Sequence, residues 1–214
     1  MSYQNGSSSS GQNKSRSSYQ AVMQKPYWVF DMDGTLTIAQ HDFDAIREEL
    51  GLPEGLPILE SLDKLPAAEA NALHTKLNQI ELDIAHQSKP AEGAADLLES
   101  LSQKGSKLGL LTRNNAINIE VTLKAAGLYE FFDVENLLSR DCINPKPAPD
   151  GINKLLSGWQ AKPQDAVMVG DHLHDLLAGR NAQTFTLYVD QQGEFPFKDH
   201  ADICIQSLSV LHQV

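Results

Sequence analysis

Apolar positions along the chain fall into two alternating rhythms. Short unbroken runs recur at Tyr27 to Phe30, Lys107 to Leu111, Ala166 to Val169, Thr184 to Val189 and Ile203 to Ile205, with a weaker one inside Phe132 to Leu138. Runs of this length, rich in β-branched and aromatic residues, predict buried strands. Between them, apolar residues step by three and four. Ala94 to Gln103 carries Leu97, Leu98 and Leu101, and Ala116 to Ala126 ends at Gly127. Asp150 to Ser157 and Leu173 to Asn181 follow. This spacing predicts helices with one buried face. Strands alternating with helices predict an α/β fold built on a doubly wound, mainly parallel sheet.

One region breaks the alternation. From Ile38 to about Lys89 there is no strand signal, only helical patterning interrupted by Gly and Pro. Asp42 to Leu50 places Phe43, Ile46 and Leu50 on one face, and Gly51 and Pro53 stop it. Pro57 to Leu65 is a second piece. Pro66 to about His86 is the longest, with Leu73, Leu77, Ile80 and Ile84 in register. Residues 38–89 therefore read as a small helical cap inserted after the first strand. The core is residues 24–37 and 90–214. Residues 1 to 23, dominated by Ser, Gln, Asn and Gly, read as a disordered tail with too little apolar surface to order itself.

Composition narrows the partners. A formal net charge of −11 disfavours nucleic acid and anionic membrane surfaces. No apolar run approaches a membrane span, and the polar N-terminus lacks a signal peptide. Cys142 and Cys204 form no ligand pattern, which suits free thiols in a cytoplasmic protein. A site for an anionic substrate on so acidic a chain needs a local cation.

Candidate chemistry gathers at the strand ends, where a parallel sheet keeps its site. The first strand runs into Asp31-Met32-Asp33-Gly34-Thr35. Gly34 permits a sharp turn whose N–H groups can face an anion, although Asp and Gly also close ordinary turns. The second strand ends at Thr112, a hydroxyl donor for a phosphoryl oxygen or simply a residue of high β-propensity. Arg113 is a surface charge or a second anion contact, and Asn114 or Asn115 caps the next helix. Lys146 stands before Pro147, which restrains its backbone. It is a fixed point charge for phosphate or part of a plain Lys-Pro loop. The strand at 166–169 leads into Gly170-Asp171 with Asp175 one helical turn on. Two acids so placed suit Mg²⁺, or else they cap the helix. His172 and His174 lack a third zinc ligand.

The order of these pieces, Asp-x-Asp-Gly-Thr, then Thr112, then Lys146, then Gly-Asp-x-x-x-Asp, closely resembles the haloacid dehalogenase-like superfamily. The resemblance runs from about Tyr27 to the C-terminus. The insertion after Thr37 is similar to the small cap of phosphoglycolate phosphatase-like members. The resemblance implies a Mg²⁺-dependent phosphatase acting on a small phosphorylated metabolite, with Asp31 as nucleophile and Asp33 as general acid/base. Thr112 and Lys146 would hold the phosphoryl group beside the Met32, Asp33 and Gly34 turn, with Arg113 near by. Asp31, Asp33, Asp171 and Asp175 would surround the metal. Four acids facing a dianionic phosphate themselves call for a divalent cation and Lys146. A dehalogenase would not need Asp33. A sugar-phosphate phosphomutase shares every motif and stays open. A receiver-like phosphoacceptor would have no helical insertion and no late Gly-Asp-x-x-x-Asp.

Overall fold

A computed structural model describes residues 17–39, 42–53 and 56–212. Among them, six strands form one sheet in the order β3-β2-β1-β4-β5-β6, with every neighbouring pair parallel. These are β1 (Tyr27–Phe30), β2 (Lys107–Leu111), β3 (Leu137–Leu138), β4 (Ala166–Gly170), β5 (Phe185–Val189) and β6 (Ile203–Ile205). The helices are α1 (residues 17–22), α2 (Phe43–Glu49), α3 (Ile58–Leu62), α4 (Ala67–Ala85) and α5 (Ala94–Gln103). After them come α6 (Ala116–Ala125), α7 (Asp150–Trp159), α8 (Leu173–Asn181) and α9 (Ser209–His212).

β1 lies between β2 and β4, with Phe30 in register with Leu110 on one side and Val169 on the other. Strand order reverses at β1, which opens a crevice at the carboxyl ends of β1, β2 and β4. Alternate residues of β1 serve different layers, as a strand period of two requires. Trp28 and Phe30 pack with Leu97, Leu101 and Leu123 of α5 and α6. Val29 packs with Ile152, Leu155 and Ala178 of α7 and α8. Burial on both faces explains why the strands are continuous apolar runs rather than alternating ones.

Two expectations need correction. The tail does not extend to Met23, because residues 17–22 are helical and Val22 and Met23 are only 1% and 5% exposed. Tyr19, Val22 and Met23 stand three and four apart and pack on the same cluster as Trp28, a stripe masked by the polar composition around it. The rest of the expected tail lies outside the described residues. The weaker strand within Phe132 to Leu138 shrinks to Leu137–Leu138, preceded by a 3₁₀ turn at Val134–Asn136. It is an edge strand with one neighbour, so little ladder rewards its extension.

Helices α2 to α4 bury Ile46, Leu50, Ile58, Leu62 and Leu77 in a cluster of their own. The chain leaves and re-enters the sheet layer side by side. Thr37 and Pro90 form an antiparallel bridge. The Ile38 N–H donates to the Lys89 carbonyl at 3.0 Å, and the Ala91 N–H to the Leu36 carbonyl at 2.9 Å.

Candidate active site

The ladder continues one residue past β1, where the Asp31 N–H donates to the Val169 carbonyl at 2.9 Å. A tight turn follows. The Met32 carbonyl accepts from the N–H groups of Leu36 and Thr37, both at 2.9 Å. Met32 is fully buried, so its side chain belongs to the core and not to the site. Gly34 has φ +83°, and a Cβ there would stand 2.3 Å from Asp171 Oδ2. Its lack of a side chain thus supplies both the turn and the room for Asp171. The Thr35 hydroxyl donates to Asp171 Oδ1 at 3.1 Å and ties the first motif to the last.

Lys146 closes the group from the loop after β3. Its Nζ lies 2.6 Å from Asp31 Oδ1 and 2.6 Å from Asp175 Oδ1, and the residue is only 3% exposed. The loop is pinned by Asn181, whose side-chain amide donates to the Pro147 carbonyl at 3.1 Å. The other Asp175 oxygen accepts from the His172 N–H at 3.0 Å, so both of its oxygens are engaged.

Ionisation follows from this packing. Burial pushes the Asp31 carboxyl well above its usual range, against the pull of Lys146. Burial and then the neighbouring Asp175 push Asp171 up to about 6. Burial alone would lower Lys146, but the carboxylates of Asp175 and Asp31 outweigh it and hold the lysine above its ordinary range. One fixed cation therefore faces three acids. Asp31, Asp171 and Asp175 present ligand oxygens within 4.8 Å of one another. An all-oxygen set with an excess of negative charge fits a hard divalent cation such as Mg²⁺.

Asp33, expected with the other three, stands outside this group. Its Oδ2 accepts from the Asn114 side-chain amide at 3.4 Å. Thr112 is buried, and its hydroxyl accepts from the Asn114 N–H at 3.1 Å, which leaves the hydroxyl proton to donate. Asn115 caps α6 by accepting from the Asn118 N–H at 2.9 Å. His172 serves as the cap of α8, with its Nδ1 accepting from the His174 N–H at 3.2 Å. Burial holds both imidazoles below their ordinary pKa.

Cap and core meet through charged pairs with no sequence signal. Arg113 Nη2 donates to Glu60 Oε1 of α3 at 2.9 Å, and its Nη1 lies 3.1 Å from His174 Nδ1. Arg140 grips Glu81 of α4 with both terminal nitrogens at 3.2 and 3.1 Å, and also donates to Asn78 Oδ1 at 3.2 Å. Between α3, α4 and the loops after β2 and β3 lies a cleft of about 1030 Å³, lined in part by Glu60, His74, Asn78, Arg113, Asn115 and Arg140.

Comparison with known proteins agrees with this arrangement. The sequence profile of the haloacid dehalogenase-like hydrolases matches residues 28–189. An uncharacterized hydrolase of Saccharomyces cerevisiae is 29% identical over 188 residues, covering 85% of this chain and 86% of that protein. Pyrophosphatase PpaX of Bacillus cereus is 31% identical over 176 residues, covering 75% of this chain and 81% of its own. Among solved structures, CbbY of Rhodobacter sphaeroides in complex with phosphate shares the fold, with a TM-score of 0.66 and 20% identity. That likeness covers 87% of this chain and 96% of the other.

Proposed function

Because this chain belongs to the haloacid dehalogenase-like hydrolase family, we propose that it is a Mg²⁺-dependent phosphatase of a small phosphomonoester. The reaction would pass through an aspartyl phosphate on Asp31. The observation that carries this reading is the placement of Lys146 at 2.6 Å from both Asp31 and Asp175. A buried lysine held between two acids at the end of the central strand suits a site built to receive a phosphoryl group. The Bacillus cereus relative is named a pyrophosphatase, which supports phosphoryl chemistry and extends the leaving group from an alkoxide to a phosphate. The CbbY structure with phosphate supports the same class of ligand.

Asp31 attacks phosphorus, forming an acyl-phosphate bond as the bond to the leaving oxygen breaks. Asp33 gives its proton to that oxygen. It then takes a proton from the water that attacks the aspartyl phosphate. The bond between phosphorus and Asp31 breaks, releasing phosphate and restoring both carboxyl groups. Lys146 and Thr112 hold the phosphoryl oxygens, whereas the Gly34 N–H is taken by the Thr37 carbonyl at 2.9 Å. Asp31, Asp171 and Asp175 would hold Mg²⁺, whose charge offsets that of the phosphoryl group.

Splitting the two acids tests this directly. p-Nitrophenolate leaves without a proton, so Asp33→Asn should spare the first step. The second step should fall by about 10²–10⁴-fold, as for loss of a general base. Rapid mixing with p-nitrophenyl phosphate and Mg²⁺ should give a burst near one equivalent and then slow turnover. Asp31→Asn should give neither burst nor turnover, and EDTA should abolish both in the wild type. Steady turnover by Asp31→Asn would overturn the covalent route.

A further inference from the structure

We infer that His172, seated against Phe197 of the loop after β5, is a positioning residue that sets how Asp171 and Asp175 meet Mg²⁺. This rests on the metal site of the phosphatase reading above and deepens it. His172 links the two acids directly. It follows Asp171 in the chain, and its N–H donates to Asp175 Oδ2 at 3.0 Å. A shift of this one residue therefore changes the spacing between the two carboxylates. The residue type exceeds what a cap needs. Helix N-caps favour Ser, Thr, Asp and Asn, whose short side chains reach the exposed N–H groups. His172 caps α8 through Nδ1 and the His174 N–H at 3.2 Å, a bond that an asparagine could also accept. An asparagine could not supply the ring.

That ring is held on two sides. Its centroid stands 4.6 Å from the His174 ring and 5.6 Å from the Phe197 ring, the latter at 65°, an edge-to-face arrangement. Phe197 is itself supported. It lies 6.0 Å from the ring of Tyr188, a buried residue of β5, and Phe195 meets the same tyrosine at 5.7 Å and 79°. Phe195 keeps φ +49°, a left-handed conformation that is costly for a bulky residue. Asp190 fixes it there by accepting from the Phe195 N–H at 2.6 Å and the Gln192 N–H at 3.0 Å. Farther along, the His200 carbonyl accepts from Arg180 Nε at 2.6 Å, so the segment is fastened to both ends of α8. Strain maintained in a loop, beside two acids that the same loop braces, marks a support for ligand geometry.

Calorimetric titration with MgCl₂, without substrate, reads this geometry apart from turnover. His172→Asn keeps a capping acceptor and loses the ring. It should raise the Mg²⁺ dissociation constant about tenfold or more, as when groups that orient metal ligands are lost. Its metal-free melting temperature should stay within about 2 °C of wild type, because the cap is preserved. Phe197→Ala should weaken Mg²⁺ binding by a similar factor, and Phe197→Tyr, which keeps the ring, should restore it. The double variant His172→Asn/Phe197→Ala should bind no more weakly than His172→Asn alone, since both changes break one contact. A merely structural contact would lower the metal-free melting temperature and leave Mg²⁺ affinity unchanged. Wild-type affinity in His172→Asn or Phe197→Ala, or losses that add in the double variant, would overturn the positioning role by itself. If wild type takes up no Mg²⁺, the metal reading falls and the positioning role falls with it.

Discussion

Asp171 carries much of the unbalanced charge of the site. Its carboxyl is pushed up to about 6 by burial and by Asp175, while the Thr35 hydroxyl pulls the other way. An unfolded aspartate titrates near ~3.9, so the native state binds this proton more tightly than the unfolded chain. The resulting stabilisation is whole below about pH 4 and is lost as pH rises through about 6. Without metal, melting temperature should therefore fall across that window. At neutral pH, Mg²⁺ should restore it, since a ligand that binds only the native state stabilises it. Asp171→Asn should have a shallower pH slope, and a slope equal to that of wild type would sink this account. Asp171, Asp31 and Lys146, which the structure brings together, stood out in the sequence through the order of the motifs that carry them, each at a strand end or beside a restraining proline. Glu60 did not. It reaches Arg113 across 53 positions, and no local pattern marks a glutamate on a short helix as a partner.

At the scale of elements, long α4 is the part of the cap most firmly joined to the core. Glu81 takes both terminal nitrogens of Arg140 and the Asn118 amide at 3.4 Å, while Asn78 meets Arg140 and, at 3.5 Å, Asn115. Breaking a mostly buried charge pair by removing one partner leaves the other uncompensated. Glu81→Ala should therefore loosen α4 from α6. Amide hydrogen exchange should quicken along Ala67–Ala85 while β1 and β4 stay protected, and unchanged exchange in α4 would mean that apolar packing alone seats it. Most elements were legible because a sheet covered on both faces demands unbroken apolar runs, as Ala166–Gly170 shows. The exceptions are short. Residues 19–23 hid a three-residue stripe in polar sequence, and Leu137–Leu138 was too brief to separate from the turns before it.

Seen whole, the molecule is a sheet interrupted once. Its doubly wound parallel sheet and the helical insertion were legible from the alternation of runs and stripes, whereas the strand order and the meeting of cap and core were not. That meeting depends on long side chains whose directions only the fold decides. The side-by-side crossing at Thr37 and Pro90 has a kinetic consequence. β1 must wait for β2, and pairing them closes a loop whose entropy grows with its length. Helices α2 to α4 are built on contacts nearer in sequence and share a cluster of their own, so they can collapse first. Once they do, residues 37 and 90 arrive together and the effective loop shortens. Leu62→Ala, a cavity at a fully buried position of that cluster, should then slow refolding of the sheet as well as destabilise the cap. Stopped-flow fluorescence of Trp28, a fully buried residue of β1, followed with Trp159→Phe as the common background, would report it. A refolding rate equal to that of wild type would mean that the strands find each other without waiting for the insertion to tie its own ends.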